Sequence, residues 1–197
     1  MEWDSKFMQV FRNAVARFHE HPGMTAERLF LPDECQFFTE IGHNPGEVFD
    51  YVKDYATLGD PAPNTILLIA AARRSFFVNN QRGISGNAQP VTEEDLPSET
   101  DDFQGITYLP RIMRKAEAKL HGTLGAGLMF DCAKDRAFLR EIDIHPIDFL
   151  QLVLNAHGDR QKVVTAIIAA IKNVQNGKKR GKMVQLPHAS QGELALD

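Results

Sequence analysis

The sequence predicts an all-α protein of roughly eight helices, built as two pseudo-symmetric four-helix halves by internal duplication. Three observations carry that expectation. Apolar residues recur at helical spacing behind capping signals almost from end to end. No stretch sustains the apolar–polar alternation of a half-buried strand, so no sheet is expected. Finally, residues 12 to 73 echo residues 114 to 172 in order and with small gaps.

The echo is specific in its polar residues. At an offset of roughly 102, Arg12, His19 and Gly23 fall on Arg114, His121 and Gly125. After one deletion, Phe37-Phe38-Thr39-Glu40-Ile41 lies over Phe138-Leu139-Arg140-Glu141-Ile142, and Pro45 over Pro146. Further on, Gly59-Asp60 matches Gly158-Asp159, and Ile69-Ala70-Ala71 matches Ile168-Ala169-Ala170. Sliding two amphipathic helices past each other explains Phe over Leu. It does not explain ordered matches of Arg, His, Gly, Glu and Pro.

The elements follow in order. Phe7, Phe11, Ala14 and Phe18 define a first helix, with Asp4 as its expected N-cap and Pro22-Gly23 as its stop. Leu31-Pro32-Asp33 opens a short helix that Gly42 ends. Asn44-Pro45-Gly46-Glu47 combines a capping side chain, a first-turn proline and a glutamate three residues on; Gly59 closes the helix it starts. Asn64 is expected to cap Thr65–Asn79, whose first half is apolar nearly all round and therefore belongs at the centre of its half. The first repeat is thus 1–82. The Gly-, Pro- and acid-rich stretch that follows, 83–107, reads as a mobile connecting loop. The second repeat, 108–175, carries helices near 108–121, 133–141, 146–156 and 160–174. The basic and polar run from 176 to 197 reads as a disordered tail.

Composition narrows the function classes. In 197 residues, 43% are apolar and 24% charged, as in a globular protein with an ordinary core. The longest apolar run, Ile66–Ala72, has seven residues, far short of a membrane span. Residues Met1–Asp4 lack the basic and apolar regions of a signal peptide. Cys35 and Cys132 have no CxxC spacing, so reduced packing cysteines in a cytoplasmic protein are expected. Charge is uneven: residues 1–107 hold 8 basic and 17 acidic side chains, net −9, and residues 108–197 hold 14 and 9, net +5. Opposite signs imply halves that attract each other, or one half that faces an anionic partner.

Candidate chemistry is sparse. Seven histidines include no His-x3-His pair, and no nucleotide, hydrolase or metalloprotease motif occurs, so no cofactor or metal is expected. His19 and His121 end matching helices, where a partly charged imidazole suits the dipole. Arg12 with Glu40, and Arg114 with Glu141, suggest a repeated ion pair. Arg73 and Arg74 follow the most apolar helix segment; they either pair with Asp50 or Asp54 or line an anion-binding cleft. Helix 108–121 is basic and amphipathic through Arg111, Arg114, Lys115 and Lys119, either as a solvated face or as a phosphate-binding one. The candidate anion- or ligand-binding residues are therefore Arg73, Arg74, Arg111, Arg114, Lys115, Lys119 and His121. Acidic residues of the connecting loop are expected to lie near the basic helix and compete for it.

Leu109-Pro110-Arg111-Ile112, Lys115-Ala116-Glu117-Ala118-Lys119-Leu120-His121-Gly122 and Asp135-Arg136-Ala137-Phe138-Leu139 resemble an uncharacterised bacterial all-helical family, domain of unknown function family 5069. Ala70-Ala71-Ala72-Arg73-Arg74-Ser75-Phe76-Phe77 is similar to members of the same group. The resemblance implies a helical fold and carries no activity. The expected function is a non-enzymatic binding or regulatory module for an unknown protein or an anionic small molecule. The alternatives are a small enzyme or anion-binding protein with a site between the repeats, and, last, nucleic-acid binding through the basic helix. Oligomeric state stays open.

Overall fold

The computed structural model describes residues 2–85 and 88–175; the expected disordered tail lies outside the described residues. Among them are nine α-helices and one two-stranded hairpin. Helix α1 (Trp3–Glu20) buries Phe7, Val10, Phe11, Ala14 and Phe18 on one stripe. Glu2 takes its cap position, and Asp4 instead lies in the first turn, where its charge suits the N-terminal dipole. A short α2 (Ala26–Leu29) has no counterpart in the sequence expectation: one turn is too brief for a periodic signal. Helix α3 (Pro32–Glu40) and α4 (Pro45–Leu58) start and stop at their prolines and glycines. The Asn44 side chain accepts a hydrogen bond from the Gly46 N–H at 2.8 Å, and Gly59 closes α4 at φ +70°, a conformation glycine adopts freely.

Helix α5 (Pro63–Asn79) begins at Pro63, with Ala62 and not Asn64 at the cap. Apolar nearly all round in its first half, it packs against α1 on one side and against α6 (Leu109–His121) and α8 (Pro146–Ala156) on another. It is central to the whole molecule rather than to one half. Helices α7 (Ala133–Glu141) and α9 (Arg160–Gln175) complete the set. The buried apolar side chains form one continuous cluster running through both halves.

The connection between α5 and α6 is a strap, anchored by buried Val91 and Leu96. Val91 exchanges backbone hydrogen bonds with Thr123 and Gly125, and a 3-10 turn follows at Glu93–Asp95. Strand β1 (Asp102–Phe103) pairs antiparallel with β2 (Ile106–Thr107), which corrects the expectation of no sheet. Two-residue strands are too short to show alternation.

The expected repeated ion pairs do not form: among the described residues no ion pair joins Arg12 to Glu40 or Arg114 to Glu141. Arg114 faces Glu117 on its own helix at 3.8 Å, and Glu40 accepts from Gln36. The cations that tie the first long helix of each half to its short helix are Arg17, on Glu34 at 2.6 Å, and Lys115, on Asp135 at 2.5 Å.

Candidate functional site

Of the four cations on the basic helix α6, Arg114 is partly exposed and the other three are not solvated. Arg111, Lys115 and Lys119 recur every fourth residue, so they stack one turn apart along one side of the helix. All three are buried. Each meets a carboxylate from a different element: Glu93 of the strap, Asp135 of α7 and Glu47 of α4. Cations at these depths require such partners, because an unpaired buried charge is costly. The cationic side chains grow drier along the row, from 10% exposed at Arg111 to 4% at Lys115 and 1% at Lys119.

At the deep end the Lys119 ammonium sits 2.8 Å from Glu47 and 5.2 Å from the Tyr51 ring centre, while Tyr51 donates to the Phe130 carbonyl at 2.7 Å. Nearby, His43 approaches the Ala70 carbonyl at 3.1 Å; burial, then the Lys119 charge, pushes its imidazole well below the usual histidine range. In the middle, Asp135 holds three donors. Lys115 and the Cys132 N–H reach one oxygen, at 2.5 and 3.2 Å, and the Tyr108 hydroxyl the other, at 2.7 Å. The same ammonium donates to Cys132 Sγ at 3.2 Å. Burial, then Asp135, pushes the Tyr108 phenol upward, so it stays a donor.

At the open end the row meets a hollow of about 380 Å3 lined by Tyr108, Arg111, Lys115, Cys132, Lys134, Asp50, Lys53 and Asp54, with Glu93 and Glu99 of the strap on its rim. Glu93 grips Arg111, which also donates to the Pro97 carbonyl at 2.9 Å; Glu99 grips Lys134 at 2.5 Å. The acidic strap thus lies on the cations of the cleft, as expected from charge. Tyr108, at the mouth, holds φ +71°, an uncommon conformation for a bulky residue and one that clusters at functional sites.

The other sequence-predicted residues are elsewhere. Arg73 is buried and donates to Gln81 at 2.6 Å and to the Leu120 carbonyl at 2.8 Å, which caps the end of α6. Burial lowers its guanidinium to about 10. Arg74 stacks on Trp3 at 5.0 Å. Among the described residues neither pairs with Asp50 or Asp54; the α4 acid that acts on Arg73 is Glu47. Arg114 and His121 border a separate hollow of about 600 Å3 with Glu117, His157 and Arg160. His121 meets Phe76 edge-on, and partial desolvation, then the Arg73 charge, lowers its imidazole, which disfavours the charged form expected at the helix end. Of the seven candidates, Arg111 and Lys115 face the cleft under the strap, and Arg114 and His121 face the separate hollow. Tyr108, Cys132 and Asp135 were missed as site residues. The legible signal was the spacing of four between Arg111, Lys115 and Lys119 with no acid interspersed on that stripe.

Comparison with family models, with curated proteins and with solved structures finds no match to this chain.

Proposed function

We propose that the protein is a non-enzymatic binding module whose site is the strap-covered cleft, and that its ligand is a small anion. One observation carries the reading: Glu93 and Glu99 sit on Arg111 and Lys134 as internal carboxylates while themselves 63% and 47% exposed. The Lys134–Glu99 pair is exposed on both sides, and such pairs contribute about 0–1 kcal/mol; Glu93 is open to solvent on its outer side, so an external anion of higher charge can compete for both cations. Arg111 and Tyr108 supply the planar donor and the rigid wall such a ligand needs.

The test is titration of the full chain with citrate and inorganic phosphate at low salt. The E93Q/E99Q variant should bind about fivefold to tenfold more tightly than wild type, and R111M more weakly than both. Affinity that is equally negligible in all three would overturn the proposal.

A second reading, a small enzyme in the same cleft, is favoured by Cys132. Its thiol lies at the cap of α7, beside an ammonium, and opens on the cleft. Iodoacetamide should then modify Cys132 faster than Cys35, whose thiol burial and Glu34 push upward.

We also infer that the halves are duplicates within the family the sequence resembles, in a cytoplasmic protein. The support is local. Glu34 accepts from the Leu31 N–H at the start of α3 as Asp135 does from Cys132 at the start of α7. The Asn44 and His145 side chains each accept from the N–H two residues on, before proline-led helices. A crystal structure should superpose 7–79 on 108–173, helix for helix in order; unrelated crossing angles would overturn this.

A further inference from the structure

Away from the strap, a hollow of about 270 Å3 lies between the start of α5 (Ala62, Thr65), the Asp60–Pro61 turn, α7 (Arg136, Leu139, Arg140) and the turn Asp143–Pro146 into α8. Asp131 lines it. That carboxylate is 0% exposed, and neither of its oxygens has a hydrogen-bond partner. Its backbone stands at φ +69°. Buried polar side chains are rarely left without partners, and a strained residue that is also unsatisfied points to a group the fold awaits.

The nearby cations are turned elsewhere. Arg136 donates to the Asp131 backbone carbonyl at 2.5 Å, and its other nitrogens reach Asp60 at 2.8 Å and Asp54 at 3.4 Å. Arg140 also reaches Asp60 at 2.8 Å and is 68% exposed at the rim. The hollow therefore has an unanswered acceptor at its base and a displaceable guanidinium at its mouth. At about 270 Å3 the hollow is roomy enough for a small organic molecule. Among the described residues no group of three or more His, Cys, Asp or Glu is placed to hold a metal ion, which favours an organic donor.

We propose that this hollow is a second binding site, separate from the strap-covered cleft, for a small amino acid or similar zwitterion. Its ammonium donates to Asp131, whose buried carboxylate turns into the hollow to receive it, and its carboxylate replaces Asp60 on Arg140. An ammonium offers three donors and suits a carboxylate with two free oxygens.

The protonation of the empty site gives the proposal a signature. Burial raises the Asp131 carboxyl to about 8, against the lowering pull of Arg136 and with Asp135 and Asp60 adding to the rise. The charged and titratable groups facing it are Arg136, Arg140 and Asp135 from α7, Asp60 from the turn before α5, Asp143 and His145 from the turn before α8, and Tyr51 from α4. A carboxyl raised to about 8 favours the protonated form at neutral pH, so an arriving ammonium should displace a proton. Binding should release protons and tighten as pH rises through about 8.

Calorimetry of the full chain with glycine, 4-aminobutyrate, methylammonium and acetate, in two buffers of different ionisation enthalpy, tests this. At least one zwitterion should bind more tightly than methylammonium or acetate, with net proton release at pH 7. D131N, in which asparagine tolerates the same backbone conformation, should weaken that binding at least about tenfold. R140M, at the exposed rim, should remove the preference for zwitterion over methylammonium. No binding by either zwitterion, undiminished binding in D131N, or acetate binding with proton uptake would each overturn the proposal.

Discussion

Glu47 and Lys119 are 72 residues apart in the chain, and both side chains are at least 97% buried. Their mutual attraction outweighs desolvation only while both are present, so Lys119→Met should cost about 3–5 kcal/mol in urea unfolding, and pairing it with Glu47→Leu should recover much of that loss. Two groups shape the pH profile in opposite directions. The folded His43 imidazole lies well below its ordinary value, so the stability it contributes is complete above about pH 6.5 and is lost as pH falls. The Asp131 carboxyl is raised to about 8, so its contribution is complete below about pH 4 and is lost as pH climbs toward 8. Denaturation midpoints of D131N and wild type at pH 5 and pH 9 check the second arm. The variant should gain on wild type at pH 9, and a pH-independent difference would reassign the charge effect to another group.

At the scale of the element, the end of α6 shows what a local signal can and cannot encode. Gly122 closes the helix at φ +68°, and a Cβ added there would run into the Arg73 guanidinium. Strain and collision together should make Gly122→Ala cost at least about 1–3 kcal/mol, read as a lower melting temperature with wild-type helix content. The end of the helix near residue 121 was legible from the local pattern. Its partner was not: nothing near Arg73 says that it reaches a carbonyl 47 positions away. The same division holds elsewhere. Pro45, Gly59 and Pro146 marked helix ends well, because capping depends on neighbours in sequence. Asn64 misled because Pro63 could take the first turn with Ala62 before it. The stripe Arg111, Lys115 and Lys119 was visible but read as a surface, since burial by the strap and α4 is a tertiary event. Asp131 gave no sequence signal at all; its burial, backbone angle and missing partners, which distinguish it from a surface aspartate, are all tertiary.

For the whole molecule, the charge division between the halves is resolved by contact rather than by an outside partner alone. Lys119 reaches Glu47 of α4, Arg136 reaches Asp54 and Asp60, Arg140 reaches Asp60, and Tyr51 reaches the Phe130 carbonyl. Helix α5 packs on α6 and α8 as well as on α1, so the apolar core has no seam between the halves. Two lobes built this way cannot shed one partner without exposing the other's buried charges. Unfolding should therefore be a single cooperative event. The only tryptophan, Trp3, sits on α1 against Arg74 and reports the first half, whereas helical circular dichroism reports every helix. Urea titrations followed by tryptophan fluorescence and by ellipticity should give coincident midpoints and slopes. A fluorescence transition that precedes the loss of ellipticity would mean that 1–82 melts while 108–175 stays folded, and that the buried pairs between them hold the two halves together less firmly than their depth implies.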